Sequence, residues 1–276
     1  MIRHSIIILT IALTIFSGTA VLADEASVPP TAGHSVQKVN SWATGSALGG
    51  NYNITIIESQ SSLSGHDMDV EWEAIALGMG HSATIVPQNT LDDISNLSGT
   101  DILIVSSGVI DLPANSVQTI MLFLQEKGPV YLQGEFLCDL SSNLAFMEIV
   151  TTMGGSFASS GIETGNLVPM NVLGDLAMMP NSVPTLPFFW YGCAGSGDAT
   201  IEPFLEFEGN YFGFIFTSPM SGDGKLIYTT DQDWVKDCNL YPESTALVGN
   251  ILQSLAAYVP VANDAVSFGE IKALYR

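Results

Sequence analysis

Between residues 52 and 153, short apolar runs alternate with amphipathic segments, and this alternation restricts the fold more than any other feature. Four runs have the length and composition of strands: residues 52–57, 83–86, 101–106 and 130–132. The segments between and after them have helical patterns: residues 70–79, 91–97, 114–126 and 140–153. Strands that alternate with helices at this interval form a parallel sheet covered on both faces. The sequence therefore predicts an α/β fold with three layers and a mostly parallel sheet.

The second half of the chain departs from this alternation. Residues 156–191 are rich in Gly, Pro, Met and Asn, which predicts an irregular insertion. The apolar runs at residues 201–207 and 211–217 flank Glu208, Gly209 and Asn210, a pattern typical of an antiparallel hairpin. The remaining predicted elements are a strand at residues 225–230 and a helix at residues 244–258.

Both ends of the chain differ from this core. Residues 1–23 have the charged start, short apolar run and small residues of a secretory signal peptide, and the run is too short to span a bilayer as a stable helix. Residues 24–50 read as a flexible leader, residues 51–259 as the folded domain and residues 260–276 as a C-terminal tail, either a sorting tag or a frayed end. We therefore expect a secreted protein without an integral membrane segment after cleavage, located outside the cell, at its surface or in a periplasm.

The charge balance restricts the partners. The chain has 28 Asp and Glu against 7 Lys and Arg, a formal net charge of −21. Such a surface repels phosphate backbones and anionic lipids, so we expect no nucleic-acid binding. Acidic surfaces also suit divalent cations or saline surroundings, although solubility is the simplest explanation of the charge.

The chain contains three cysteines, Cys138, Cys193 and Cys238. Export places them in an oxidising compartment, where one disulfide and one remaining thiol is the simplest count. Three pairings are possible. We favour Cys193 with Cys238, because both stand in loop-like stretches rich in Gly or Asp. No CxxC or HxxxH spacing indicates a zinc site.

Three motifs carry a family resemblance. Gly134 and Glu135 follow a strand, Asp231 to Trp234 follow a late strand, and residues 65–72 fill the first strand-to-helix turn. In this order of elements, residues 52–258 resemble the class I glutamine amidotransferase-like superfamily, in particular its secreted, non-catalytic members. The resemblance implies a flavodoxin-like sheet.

The same resemblance argues against amidotransferase chemistry. Catalytic members carry a cysteine on a sharp elbow after a strand, and a later histidine activates its thiol. Here Glu135 stands at the elbow position, and Cys138 comes three residues later. The four histidines, His4, His34, His66 and His81, all precede the elbow. We therefore lean towards a protein that is not an enzyme.

Sites in parallel sheets lie at the carboxyl ends of the strands. The predicted catalytic candidates there are Glu135 and His66, and the predicted binding residues are Asp67, Asp69, Asp231, Asp233 and Trp234. Our leading hypothesis is a non-catalytic domain without a cofactor that binds a protein, a glycan or a small molecule at this edge.

Two alternatives remain for these residues. Glu135, His66, Asp231 and Asp233 could hold a divalent cation and form a metal-assisted hydrolase. Alternatively, the carboxylates are structural: Asp67 and Asp69 then cap the following helix, and Asp231 and Asp233 lie in a solvated loop. The aromatic run at residues 188–191 offers either a carbohydrate platform or lid and core packing.

Overall fold

The computed structural model describes residues 51–59, 67–126, 128–164, 169–187, 189–220, 224–236 and 241–259. The predicted signal peptide, leader and C-terminal tail therefore lie outside the described residues, as do His66 and Cys238. Within the described ranges, no helix is both long enough and apolar enough to cross a membrane.

Helices and strands alternate as the pattern predicts. The α-helices are α1 Met68–Gly78, α2 Ala114–Glu126, α3 Ser141–Thr152, α4 Asp233–Lys236 and α5 Pro242–Ala256. Short 3₁₀ helices occur at Gln88–Asp92, Ile94–Leu97 and Gly174–Ala177. The strands are β1 Asn53–Ile57, β2 Ser82–Val86, β3 Ile102–Val105, β4 Val130–Gln133, β5 Phe157–Thr164, β6 Met170–Val172, β7 Thr185–Leu186, β8 Gly192–Gly197, β9 Ile201–Phe207, β10 Asn210–Thr217 and β11 Lys225–Thr229.

Five parallel strands form the first half of the sheet, in the order β2-β1-β3-β4-β11. Counted along the parallel strands alone, this is the 2-1-3-4-5 order of a flavodoxin-like fold. All five strands run in one direction, so their first residues share one edge of the sheet, which we call the amino edge. Their last residues share the opposite edge, the carboxyl edge.

Antiparallel strands form the second half, in the order β11-β10-β9-β6-β7. The predicted hairpin is present: β9 pairs with β10, and Glu208 and Gly209 at its turn have φ of 50° and 79°. Such positive φ angles suit two-residue hairpin turns, whose twist matches that of the strands. Beyond the end of β11, β10 pairs with β8 through Tyr211 and Gly195, and β8 pairs in turn with β5.

Two apolar layers cover the parallel strands. Because successive side chains point to opposite faces, Ile104 of β3 packs with α1 and α5, whereas its neighbours Leu103 and Val105 pack with α2 and α3. The three-layer α/β fold is therefore as predicted.

One segment is more regular than the sequence indicates. Residues 156–191, predicted as an irregular insertion, contain β5, β6, β7 and a 3₁₀ helix. The sequence of β5, FASSGIET, has no clear apolar alternation. Pairing with β8 and β9 holds β5 and β6 as strands, so their own residue pattern could not reveal them.

Candidate functional site at the carboxyl edge

Buried polar side chains follow four of the five parallel strands at the carboxyl edge. The residues concerned are Ser59 after β1, Ser106 and Ser107 after β3, Glu135 after β4, and Asp231 and Gln232 after β11. Buried polar groups are costly unless they are hydrogen-bonded. Their partners therefore decide whether this edge is open to a ligand.

Glu135 occupies the elbow after β4 and is only 5% exposed. One oxygen of its carboxylate accepts the backbone N–H of Phe136 at 2.9 Å. Its backbone N–H donates to Oδ1 of Asn143 at 3.0 Å, and its carbonyl accepts from Nδ2 of the same residue at 2.7 Å. The elbow is therefore fixed by Asn143 of α3.

Tyr228 supports the same cluster from β11. Its hydroxyl donates to Oδ1 of Asn143 at 2.7 Å. Burial, followed by the charges of Glu135 and Tyr131, raises the pKa of Tyr228 well above its ordinary value. The phenol consequently remains neutral and keeps its proton as a donor to Asn143.

Gln232 joins the loop after β3 to the end of β11. Its Oε1 accepts the Ser107 hydroxyl at 2.8 Å and the Gly108 backbone N–H at 3.0 Å. Gly108 lies so close to the elbow that a Cβ at this position would overlap the carbonyl of Gly134. A backbone N–H that could have received a ligand oxygen is thus already bonded to a side chain.

Asp231 is fully buried and acts on two backbone segments. Its Oδ2 accepts the N–H of Trp190 at 2.5 Å, and its Oδ1 accepts the N–H of Asp233 at 2.9 Å. It therefore starts α4 and holds the chain before β8. Trp234, predicted as a binding residue, is fully buried and donates from Nε1 to the Thr229 hydroxyl at 3.4 Å.

In the first strand-to-helix turn, Asp69 accepts the Ser59 N–H at 3.0 Å, and the Ser59 hydroxyl accepts the Asp69 N–H at 3.1 Å. These reciprocal bonds tie α1 to the end of β1. Asp67 is the N-cap residue of α1 and is exposed, but its side chain makes no capping bond. Of the two predicted caps, only Asp69 bonds to backbone of this turn.

The structure brings Glu135 and Asp231 to the same edge of the sheet, and it leaves His81 at the other. His81 immediately precedes β2 and so lies at the amino edge. Among the described residues, no three His, Cys, Asp or Glu side chains lie close enough together to hold a metal ion.

The disulfide joins Cys138 to Cys193, with 5.2 Å between their Cα atoms. The predicted pairing of Cys193 with Cys238 is therefore wrong. Cys193 lies in β8 rather than in a loop, and β8 continues the sheet beyond the end of β11, beside the elbow that carries Cys138. In this disulfide-bonded form Cys138 has no thiol to act as a nucleophile.

The disulfide gathers three aromatic side chains, Phe136, Trp190 and Tyr191, which we call the aromatic rim. The ring centroids of Phe136 and Tyr191 are 6.1 Å apart, and those of Trp190 and Tyr191 are 6.4 Å apart. Phe136 is 37% exposed, and the other two are half-buried. The predicted aromatic run is thus divided, because Phe189 is a core residue that packs against Phe212; Phe188 lies outside the described residues.

Sequence reasoning missed Asn143, which makes three of the hydrogen bonds described above, and Gln232, which makes two. Asn143 lies in an apolar helical pattern, and a polar residue on the buried face of such a helix is a usable signal. Gln232 had no such signal, because its role depends on a loop 124 residues away in sequence.

No protein-family model matches the chain, and no curated protein matches it. Similar solved structures include Cytoplasmic Protein STM1381 from Salmonella typhimurium LT2, with a TM-score of 0.55, 11% identity and coverage of 74% of this chain and 99% of that chain. The mmIFT52 N-terminal domain has a TM-score of 0.54, 13% identity and coverage of 74% and 97%. A thua-like protein from Bacteroides uniformis ATCC 8492 has a TM-score of 0.48, 8% identity and coverage of 82% and 98%. The two structures with TM-scores above 0.5 share the fold of this chain, and at such low identities the comparisons carry no conclusion about function.

Proposed function

We propose that this protein is an exported, non-catalytic member of the amidotransferase-like group that binds carbohydrate at the rim of the carboxyl edge. Residues 1–23 then direct export, residues 24–50 form a leader, and residues 51–259 form the binding domain. The disulfide supports export, because such bonds persist in oxidising compartments.

The observation that carries the proposal is that the carboxyl edge is occupied by its own side chains. The backbone N–H groups of Gly108, Glu135, Phe136 and Trp190 all donate to side-chain oxygens. Catalysis of acyl transfer requires free donors aimed at a developing oxyanion and an activated nucleophile. Here the donors are bonded, and Cys138 is held in a disulfide.

The aromatic rim indicates the class of ligand. Sugar rings stack on partly exposed aromatic faces, and sugar hydroxyls donate to carboxylates such as the exposed Asp139 beside the disulfide. A net charge of −21 opposes anionic ligands but not neutral ones. Phe136 and Tyr191 each stand two residues before a cysteine of the disulfide, which fixes the rim before a ligand arrives.

Binding can be tested with the mature protein on glycan arrays and insoluble polysaccharides, followed by titration with the best oligosaccharide. Each of Phe136→Ala and Tyr191→Ala is expected to weaken binding about 2- to 10-fold, because an aromatic contact contributes about 0.5–1.5 kcal/mol beyond its buried area. Tyr52→Ala, at the amino edge, is the matched control and should bind like the wild type. Failure of every carbohydrate to bind would contradict the proposal.

The non-catalytic part needs its own assay. The protein should hydrolyse no amide, ester or glycoside of a substrate panel, with added divalent cations or with a chelator. Glu135→Gln keeps an oxygen acceptor for the Phe136 N–H and therefore should fold normally. Turnover by the wild type that this variant loses would show that Glu135 is catalytic.

A further inference from the structure

A pocket lies at the amino edge of the sheet, away from the aromatic rim. It has a volume of about 250 Å³ and is formed by the start of β11, the last turns of α5 and the 3₁₀ helix Gly174–Ala177. Lys225, Asp175, Ser254 and Tyr258 line it. Its size suits a small metabolite rather than a polymer.

Lys225 is the only Lys or Arg side chain that the structure describes, and it is 8% exposed. Its Nζ donates to Oγ of Ser254 at 2.7 Å and lies 4.4 Å from the centroid of the Tyr258 ring. An ammonium group has three N–H donors, so one hydrogen bond leaves two of them available to the pocket. No described carboxylate forms an ion pair with this group.

The charge of Lys225 is only partly compensated. Burial lowers its pKa, and the charges of Glu202 and Asp175, acting over a longer distance, do not restore it. The carbonyl end of α5 adds a weak favourable field. Buried charges in proteins are normally paired directly, because burying an unpaired charge costs free energy. An anionic group bound in the pocket would pair with the Lys225 ammonium group and reduce that cost.

Hydrogen bonds join the wall of the pocket to itself, and its Asn250 side chain has no amide donor left over for that anion. Asn250, fully buried on α5, donates to the carbonyls of Leu176 and Asn181 at 2.7 and 2.9 Å. Its Oδ1 accepts the Asn181 N–H at 2.9 Å. These bonds fix the 3₁₀ helix against α5 and keep the pocket formed without a ligand.

We propose that this pocket binds a small zwitterion, such as a free α-amino acid, with its carboxylate at Lys225 and its ammonium group at Asp175. Lys225 is buried in the pocket, whereas Asp175 is exposed where it lines the pocket. A zwitterion could therefore place its carboxylate deep in the pocket, at Lys225, and its ammonium group nearer the surface, at Asp175. A simple anion would meet Lys225 but also the repulsion of Asp175, Glu202 and the acidic surface. The zwitterion brings no net charge into that field.

Isothermal titration of the mature protein with glycine and L-alanine tests the proposal, with acetate and ethylamine as probes that carry one charge each. Glycine and L-alanine should bind saturably and more tightly than acetate, and ethylamine should not bind. Lys225→Met is expected to weaken glycine binding by at least about tenfold, because a buried charge pair is lost. Asp175→Asn should abolish the preference for glycine over acetate.

Asp111→Asn is the matched control, since it removes one exposed carboxylate that belongs neither to this pocket nor to the aromatic rim. It should leave glycine binding unchanged. Absence of saturable glycine binding, equal affinity for acetate, or an unchanged preference in Asp175→Asn would each overturn the proposal. Asp175→Asn changes an exposed side chain and decides the matter even if Lys225→Met fails to fold. Carbohydrate binding at the aromatic rim is a separate readout, so the two proposals can fail independently.

Discussion

The two edges of the parallel sheet use polar residues in opposite ways. At the carboxyl edge, Glu135, Asp231 and Gln232 are bonded to the backbone of neighbouring loops. At the amino edge, Lys225 uses one of its donors, and neither ring nitrogen of the buried His81 has a hydrogen-bond partner. The edge that resembles an active site is therefore the more completely satisfied one.

This difference predicts opposite responses to mutation. Removing one partner from a satisfied buried cluster leaves the others unbonded and costs about 1–3 kcal/mol for each orphaned group. Replacing an unsatisfied polar group by an apolar one of similar shape costs little or stabilises. Stability measurements at the two edges therefore test whether the carboxyl edge is structural.

The largest expected effect comes from breaking the disulfide at the carboxyl edge. Cys138→Ser and Cys193→Ser should each lower the free energy of unfolding by about 2–4 kcal/mol, because the bond closes a loop between residues 55 apart in sequence. Urea unfolding of the oxidised protein measures this. Glycine binding at the amino edge should persist in both variants under native conditions.

Cys238→Ser is the control for the pairing. Two of the three cysteines form the disulfide, so Cys238 should be the one free thiol of the denatured wild type. The denatured Cys238→Ser variant should contain no free thiol. If Cys238→Ser destabilised the protein and Cys138→Ser did not, the Cys138–Cys193 pairing would be incorrect.

An effect of similar size concerns Asn143, the side chain that fixes the elbow. Besides its bonds to Glu135 and Tyr228, it donates to the carbonyl of Leu137 at 2.6 Å. Asn143→Ala should lower the free energy of unfolding by about 2–4 kcal/mol, since several buried groups lose their partner. Urea unfolding again measures the change.

Asn115 on α2 provides a matched asparagine, because its Nδ2 donates to Asp92 at 3.0 Å in an exposed position. Asn115→Ala should change the stability by less than about 0.5 kcal/mol. Equal effects of the two substitutions would mean that the carboxyl edge is not a satisfied structural cluster.

The sequence was sufficient to predict the parallel half of the sheet, because each strand and helix there carries its own apolar pattern. Helix α2 begins and ends at the predicted residues, Ala114 and Glu126. Strands β5 and β8 carried no such pattern: β8 reads GCAGSG, and only its pairing with β5 and β10 makes it a strand. The disulfide prediction failed for this reason, since Cys193 was assigned to a loop.

The sequence was sufficient to predict where the candidate site lies, but not whether its carboxylates are already hydrogen-bonded to the backbone. The carboxyl ends of parallel strands are a general location for sites, so Glu135 and Asp231 could be placed at one edge. Whether those carboxylates face a ligand or a neighbouring backbone depends on contacts such as Asp231 with Trp190, 41 residues apart in sequence. Periodicity carries no information about such contacts.

The smallest expected effect is at the amino edge and has the opposite sign. Burial lowers the pKa of His81 from 6.5, so the folded protein keeps the imidazole neutral while the unfolded chain takes up a proton more readily. The contribution to stability is then complete above pH 6.5 and decreases as the pH falls below it. His81→Phe should raise the free energy of unfolding by about 1 kcal/mol at neutral pH.

The gain from His81→Phe should increase from pH 7 to pH 5, which urea unfolding at several pH values would detect. His81→Gln separates the effect of the unbonded polar group from the effect of its titration. It also removes the titratable ring, but it keeps a polar group against Tyr52, whose ring centroid is 5.6 Å from that of the imidazole. Relative to the wild type, the stability of His81→Gln should also increase from pH 7 to pH 5, but without the gain at neutral pH. A loss of stability in His81→Phe at every pH would mean that this edge depends on the imidazole, and the contrast between the two edges would no longer hold.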